Sequence, residues 1–175
     1  DDDIKVREKA ARVLGKIGVA QAVQPLIEAL SDPQTAVRLA AVEALGKIPD
    51  ARAMEPLCYS LKDTDALVRK AAVLSLGVFS DVRTEQPLSD ALMDRNWEVR
   101  RSAVDTIAKM DSDWAMNLLI NALKNEYDDV RSGVAQALGE KGNPYIVEAL
   151  IPVLSDGTKT VRIAAAEALE KLGWK

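Results

Sequence analysis

The dipeptide Val-Arg returns at a fixed step of 31 residues: Val6-Arg7, Val37-Arg38, Val68-Arg69, Val99-Arg100, Val130-Arg131 and Val161-Arg162. Other columns keep the same step. Leu14, Leu45, Leu76, Ile107, Leu138 and Leu169 form one, and Asp1, Asp32, Asp63, Asp94, Asn125 and Asp156 another. Gly15, Gly46, Gly77 and Gly139 form a third, with Ala108 and Glu170 in its gaps. An insertion-free period of this length marks an array of small supersecondary units, none of which can bury its apolar face alone. Stacking must supply the core.

Each period holds two helical patterns. Val23, Leu26, Ile27 and Leu30 recur at spacings of three and four, as do Val37, Ala41, Ala44, Leu45 and Ile48. A polar turn, Ser31-Asp32-Pro33, separates them, and Pro49-Asp50 ends the pair. We name the helices A and B. The spacing predicts A helices near 20–31, 51–62, 82–93, 113–124 and 144–155, and B helices near 3–18, 34–48, 65–79, 96–110, 127–141 and 158–173. Pro144 and Pro152 predict that the fifth A helix starts or bends differently. Gly18, Gly142 and Gly173 stand where a left-handed residue closes a helix. No strand pattern is present. The expected fold is all-α: one array of antiparallel helix pairs over 1–175, with a B helix at 1–18 and repeats at 19–49, 50–80, 81–111, 112–142 and 143–175.

Composition fits thin, repeated interfaces and excludes many activities. The chain is 48% apolar, yet its aromatics are three Trp, three Tyr and one Phe. Ala, Val, Leu and Ile supply the rest, which suits packed helices roughly 8–10 Å apart. Ala10, Ala41, Ala72, Ala103 and Ala165 are expected inside, and the glycine column implies a close backbone approach, because a helix-interior glycine costs about 1 kcal/mol. With no histidine, Ser–His–Asp and Cys–His catalysis and His-ligated metals are excluded. Cys58 is the sole cysteine; it fits a reducing, cytoplasmic setting and is expected in the core with Ile27, Ile120 and Ile151. No apolar run reaches the roughly 20 residues of a membrane span. A sequence pI near 5.0 argues against general nucleic-acid affinity. No cofactor is expected.

Pro25-Leu26, then Asp32 with Arg38, then Ala44-Leu45-Gly46-Lys47-Ile48, recurring as Pro56-Leu57, Asp63 with Arg69 and Ser75-Leu76-Gly77, resemble the HEAT repeat. The likeness is greatest to the short HEAT-like variety named after phycobilisome lyase subunits. It implies a right-handed α-solenoid whose B helices line the concave face. It also implies a ladder of charged hydrogen bonds between successive repeats, carried by Asp32, Arg38, Asp63, Arg69, Asp94, Arg100, Arg131, Asp156 and Arg162. Asn125 departs by losing the charge, and Leu118 and Ala149 depart from the proline column. The chain opens on a B helix with no A partner, no initiator Met and no polar capping repeat, as expected of a fragment. Trp174 is placed to cover the last edge.

The outward B positions lie two before each Val and two, six and ten after it. Among them Leu39, Leu74, Val78 and Trp97 set apolar side chains toward solvent, and such patches mark partner sites. Trp97 and Arg101 are helix neighbours of types enriched in interface hot spots. The candidate partner-binding residues are Leu39, Glu43, Lys70, Leu74, Val78, Trp97, Arg101, Asp105, Ser132 and Gln136. Asp111-Ser112-Asp113 and Asp128-Asp129 read as helix-start acids rather than a cation site, since Ca²⁺ needs six or more oxygens from a shaped loop. Asp1-Asp2-Asp3 reads as a frayed acidic start. The function expected is non-enzymatic: a scaffold binding another protein, with no nucleic acid or membrane partner. The resemblance also suggests a subunit of a bilin lyase or chaperone acting on phycobiliproteins, and the strict period an engineered binder; Cys58 and Phe79 favour a natural chain.

Overall fold

The computed structural model describes residues 2–174, Pro144 through its backbone alone. Asp1 of the aspartate column lies outside the described residues. The chain forms two compact units, Asp1–Pro87 and Leu88–Lys175. In the first, B helices α1 (Ile4–Ile17), α3 (Thr35–Leu45) and α5 (Ala66–Leu76) stack in order, with A helices α2 (Val23–Ala29) and α4 (Met54–Ser60) packed on α3 and α5. Helix α6 (Glu85–Ala91) follows. In the second, B helices α7 (Trp97–Lys109), α9 (Asp128–Lys141) and α11 (Lys159–Lys171) stack in order. Helix α8 (Asp113–Ala122) packs on α7 and α9, and α10 (Val147–Leu150) with the 3₁₀ turn after it packs on α11. The described residues contain no strand.

The A segments are split. Three-residue 3₁₀ turns at Ala20–Ala22, Ala51–Ala53 and Val82–Thr84 precede the seven-residue α2, α4 and α6. Pro25, Pro56 and Pro87 are third in these helices, inside the first turn, where a missing N–H breaks no helical bond. Pro152 falls three residues later in its repeat. There it removes an interior donor, and the fifth A segment is α for four residues and 3₁₀ over Ile151–Ser155. Three of the B helices begin at side-chain caps: Asp3, Asp65 and Asn96 accept backbone N–H bonds at the starts of α1, α5 and α7, whereas Gln34, Tyr127 and Thr158 open α3, α9 and α11 without one. The cap of α8 is Ser112 rather than a neighbouring aspartate. Gly18, Gly142 and Gly173 take φ of 70°, 65° and 76°, and Ser80, in the same column, takes 45°.

Leu26, Leu45, Leu57 and Leu76 form the sealed centre of the first unit, and Ile107, Leu119, Leu138, Leu150 and Leu169 that of the second. Each contributes roughly 1.5–3 kcal/mol of burial. The glycine column does bring backbones together. A Cβ on Gly15 would lie 2.6 Å from the Ala44 Cβ, and one on Gly139 2.7 Å from the Ala168 Cα. Two core expectations fail. Ala10 is exposed, because no A helix lies over α1. Cys58, Ile27 and Ile120 are half-buried and Ile151 is exposed, because this column sits at the flank of the short A helices. Burial, aided by Glu55, still pushes the Cys58 thiol up, away from the thiolate.

Within each unit the ladder forms, with one change of partner in the second. Arg7 reaches Asp32 through Nε (2.7 Å) and Nη2 (3.2 Å), Arg38 reaches Asp63 (2.7 and 2.9 Å), and Arg131 reaches Asp156 (2.8 and 3.0 Å). These are two-pronged pairs, the geometry in which guanidinium and carboxylate match best. In each of the five repeats, Arg Nη1 also donates to a carbonyl of its own A–B turn: Asp32 for Arg38, Asp63 for Arg69, Asp94 for Arg100, Asn125 for Arg131 and Asp156 for Arg162. Asp94 takes the same backbone bond, from Asn96 N–H, as its column mates take from their turns. Where Asn125 lacks the charge, Arg100 turns to Asp129 (Nη2–Oδ1 3.0 Å) and lies 3.9 Å from the Tyr127 ring centroid. Asp129 is thus a ladder residue, not merely a helix-start acid.

Candidate functional site

The outward B positions behave as a surface: none of them is buried. In the first unit Leu74 and Val78, one turn apart on α5, are each 51% exposed. Glu43 pairs with Arg12 at 3.1 Å. Lys70 is half-buried, and so is Leu39, which was expected in solvent. A shallow groove of about 450 Å³ runs between α3 and α5, lined by Glu43, Gly46, Lys47, Ala71, Leu74 and Ser75. Its apolar wall comes from Leu74.

In the second unit Trp97 opens α7 and is 61% exposed, so the ring does not fold over a junction. Arg101, one turn on, places Nε 3.1 and 3.3 Å from the Asp105 carboxylate oxygens. That pair spans one helical turn in solvent and contributes at most about 0.5 kcal/mol. It orients the guanidinium more than it neutralises it. Both residues line a groove of about 460 Å³ between α7 and α9, with Ala108, Lys109, Gln136 and Glu140 around it. Lys141 also lines it, with Nζ on the Met110 carbonyl at 3.3 Å. Gln136 is exposed, while the Ser132 hydroxyl donates to the Asp129 carbonyl at 3.2 Å and is spent on its own helix. Trp97, Arg101, Asp105 and Gln136 are therefore brought to one face, and Ser132 is the weakest member of that set.

Sequence reasoning missed the mixed charge of this groove. Lys109 and Glu140 were placed outward, yet nothing in their columns marked the α7–α9 junction as a groove. Among the described residues no group of three or more Cys, Asp and Glu could hold a metal ion, and no helix is long and apolar enough to cross a membrane. The chemistry on this face is that of recognition: an aromatic plane, an oriented guanidinium and paired charges around a cleft.

Comparison with known proteins bears on fold and family. No curated protein matches the chain significantly. Among solved structures, Escherichia coli YibA superposes with a TM-score of 0.66 at 27% identity, over 97% of this chain and 66% of that one. The complex of CpcE and CpcF of phycocyanin lyase from Nostoc sp. PCC7120 gives 0.65 at 25% identity, over 99% of this chain and 73% of that one. A designed armadillo repeat protein in complex with the peptide (KR)4 gives 0.60 at 22% identity, over 98% and 95%, a likeness of fold alone. The profile for HEAT repeats matches residues 1–77, 54–138 and 116–174, so together with the stacked helix pairs and the arginine ladder it shows that the chain is an α-solenoid belonging to the HEAT-repeat family.

Proposed function

We propose that the chain is a non-enzymatic scaffold that binds another protein through its B-helix face, working in a reducing, cytoplasmic setting where Cys58 stays a thiol. The observation that carries this reading is Trp97, a large aromatic left 61% exposed, one turn along α7 from an oriented Arg101 that lines a groove. Tryptophan and arginine dominate interface hot spots, and truncating one typically costs 2 kcal/mol or more, about thirtyfold in affinity. Leu74 and Val78 offer a second apolar contact in the first unit. The test is affinity capture from the native lysate with the wild-type chain and the Trp97→Ala/Arg101→Glu variant. The partner is lost from the variant while far-UV circular dichroism stays unchanged; retained capture would overturn the assignment.

The likeness to the CpcE–CpcF complex favours one other reading, an accessory subunit of a chromophore lyase. It is read in the same material: a visible absorption shift on mixing the chain with a free bilin or a phycobiliprotein supports it against a purely binding role.

A further inference from the structure

In the first unit, one B helix departs from the repeat on its outward side. Leu67, Ala71, Leu74 and Val78 follow one another along α5 and the turn that continues it, at spacings of four, three and four. At 100° per residue they fall within about 60° of one another, the seam against which a second helix packs. Leu67 is 56% exposed, beside Leu74 and Val78 at 51%, while Ala71 lines the α3–α5 groove next to them. No other repeat keeps this seam. The column of Leu74 holds Arg12, Glu43, Asp105, Gln136 and Glu167, and that of Val78 holds Lys16, Lys47, Lys109, Glu140 and Lys171. Lys5, Glu98, Asp129 and Thr160 share the column of Leu67, where only Ala36 is also apolar. Stacking does not close the seam. Helix α4 packs on α5 and α3 packs beside it, yet both leave these side chains in solvent.

Charge around the seam identifies what fits it. The chain has 27 acidic and 23 basic residues, but the outward face of this unit reverses that balance. Its charged positions are Arg12, Lys16, Lys47 and Lys70 against Glu8 and Glu43 alone. Arg12 takes both acids, each at 3.1 Å. Lys47 stands exposed on the far wall of the groove from Leu74, with Lys16 next in its column, and Lys70 borders the seam on α5 itself. An apolar line bounded by lysines is complementary to a helix with one apolar stripe and carboxylates along its flanks.

Resting on the reading of the B-helix face as a binding surface, we propose that the α5 seam docks an acidic amphipathic helix of a partner protein. The probe is a synthetic peptide of about 16 residues, long enough to hold helix on a surface, with leucines at spacings of three and four and glutamates along both flanks. Fluorescence anisotropy against the whole chain reads binding. The wild-type chain takes the peptide, several-fold more weakly when salt is raised from about 50 to about 500 mM. Leu67→Asp/Leu74→Asp loses at least about tenfold in affinity. Lys16→Glu/Lys47→Glu loses it too, and binds instead a peptide with lysines in place of the glutamates. Both variants alter exposed positions, and their helicity is checked alongside. The Trp97→Ala/Arg101→Glu variant binds the peptide like wild type, so failure of the α7 reading and failure of this one are distinct. The proposal is overturned by equal binding to wild type and Leu67→Asp/Leu74→Asp, or by no binding at all. It is overturned equally by a wild-type dimer that Leu67→Asp/Leu74→Asp dissociates, which would give the seam to a second copy, and by binding to phosphatidylserine vesicles without binding to the peptide.

Discussion

Gly139 sits 2.7 Å, by the position of a Cβ it does not have, from both the Cα and the Cβ of Ala168. Nothing at that contact is a flexible side-chain end, so Gly139→Val must push α11 off α9. We expect a loss of about 2 kcal/mol, in the range of overpacked cores, read as a lower urea midpoint. The glycine column was legible because repetition of a costly residue demands a reason. The matching column of Ala44, Ser75 and Ala168 was not, since small residues also fill exposed helix positions and only the stack shows which ones meet glycine. Asp129 failed in a similar way: next to Asp128 at a helix start it looked like dipole compensation, and only the loss of charge at Asn125 hinted that Arg100 needed another acid. Ala10 was placed inside by its column, yet burial is a property of the neighbour and not of the residue.

Helix B was legible along nearly its whole length, whereas helix A was read too long. The expected 20–31, 51–62 and 82–93 prove to be a 3₁₀ turn and a seven-residue α-helix each. Over three or four residues, periods of 3.0 and 3.6 are indistinguishable in an apolar pattern. Pro152 was the exception, since a proline out of register with Pro25, Pro56 and Pro87 announces its own effect. Helix ends gave the sharper test. Ser80 adopts φ 45° where Gly18, Gly142 and Gly173 stand in other repeats. A non-glycine residue in that region carries a penalty of about 1–2 kcal/mol, partly offset by the entropy glycine loses on folding. Ser80→Gly is therefore expected to raise stability by about 0.5–1 kcal/mol, seen as a higher thermal midpoint.

For the molecule as a whole the ladder sets the response to acid. The Arg7 guanidinium, joined by the Gln34 amide, holds Asp32 below the ordinary carboxylate range against the opposing effect of burial. Burial pushes Asp63 up, but Arg38 and the Asp65 amide outweigh it. Arg131 and the Thr158 amide hold Asp156 down. With folded values below unfolded ones, the native chain binds fewer protons in acid than the unfolded chain. The ladder's contribution is complete above about pH 4 and fades as pH falls through the depressed values. Urea titrations at stepped pH should show this decline, and Asp156→Asn should make it shallower. Asp50 and Asp81, held to about 2 by Arg52 and Arg83, add little to it, because each partner lies two residues away and remains within reach in the unfolded chain.

The close fit between helices also governs how such a chain could be rearranged. A junction works when glycine on one B helix meets a small residue on the next, as Gly15 meets Ala44 and Gly46 meets Ser75, whose hydroxyl is spent on the Val42 carbonyl. Val13 stands where Ala44 and Ser75 stand, and Glu170 where Gly15 and Gly46 stand. Segments α3, α5 and α9, each with glycine at this place, could be shuffled like cards of one thickness, whereas α7, with Ala108 there, and the α1 and α11 segments would wedge the deck open.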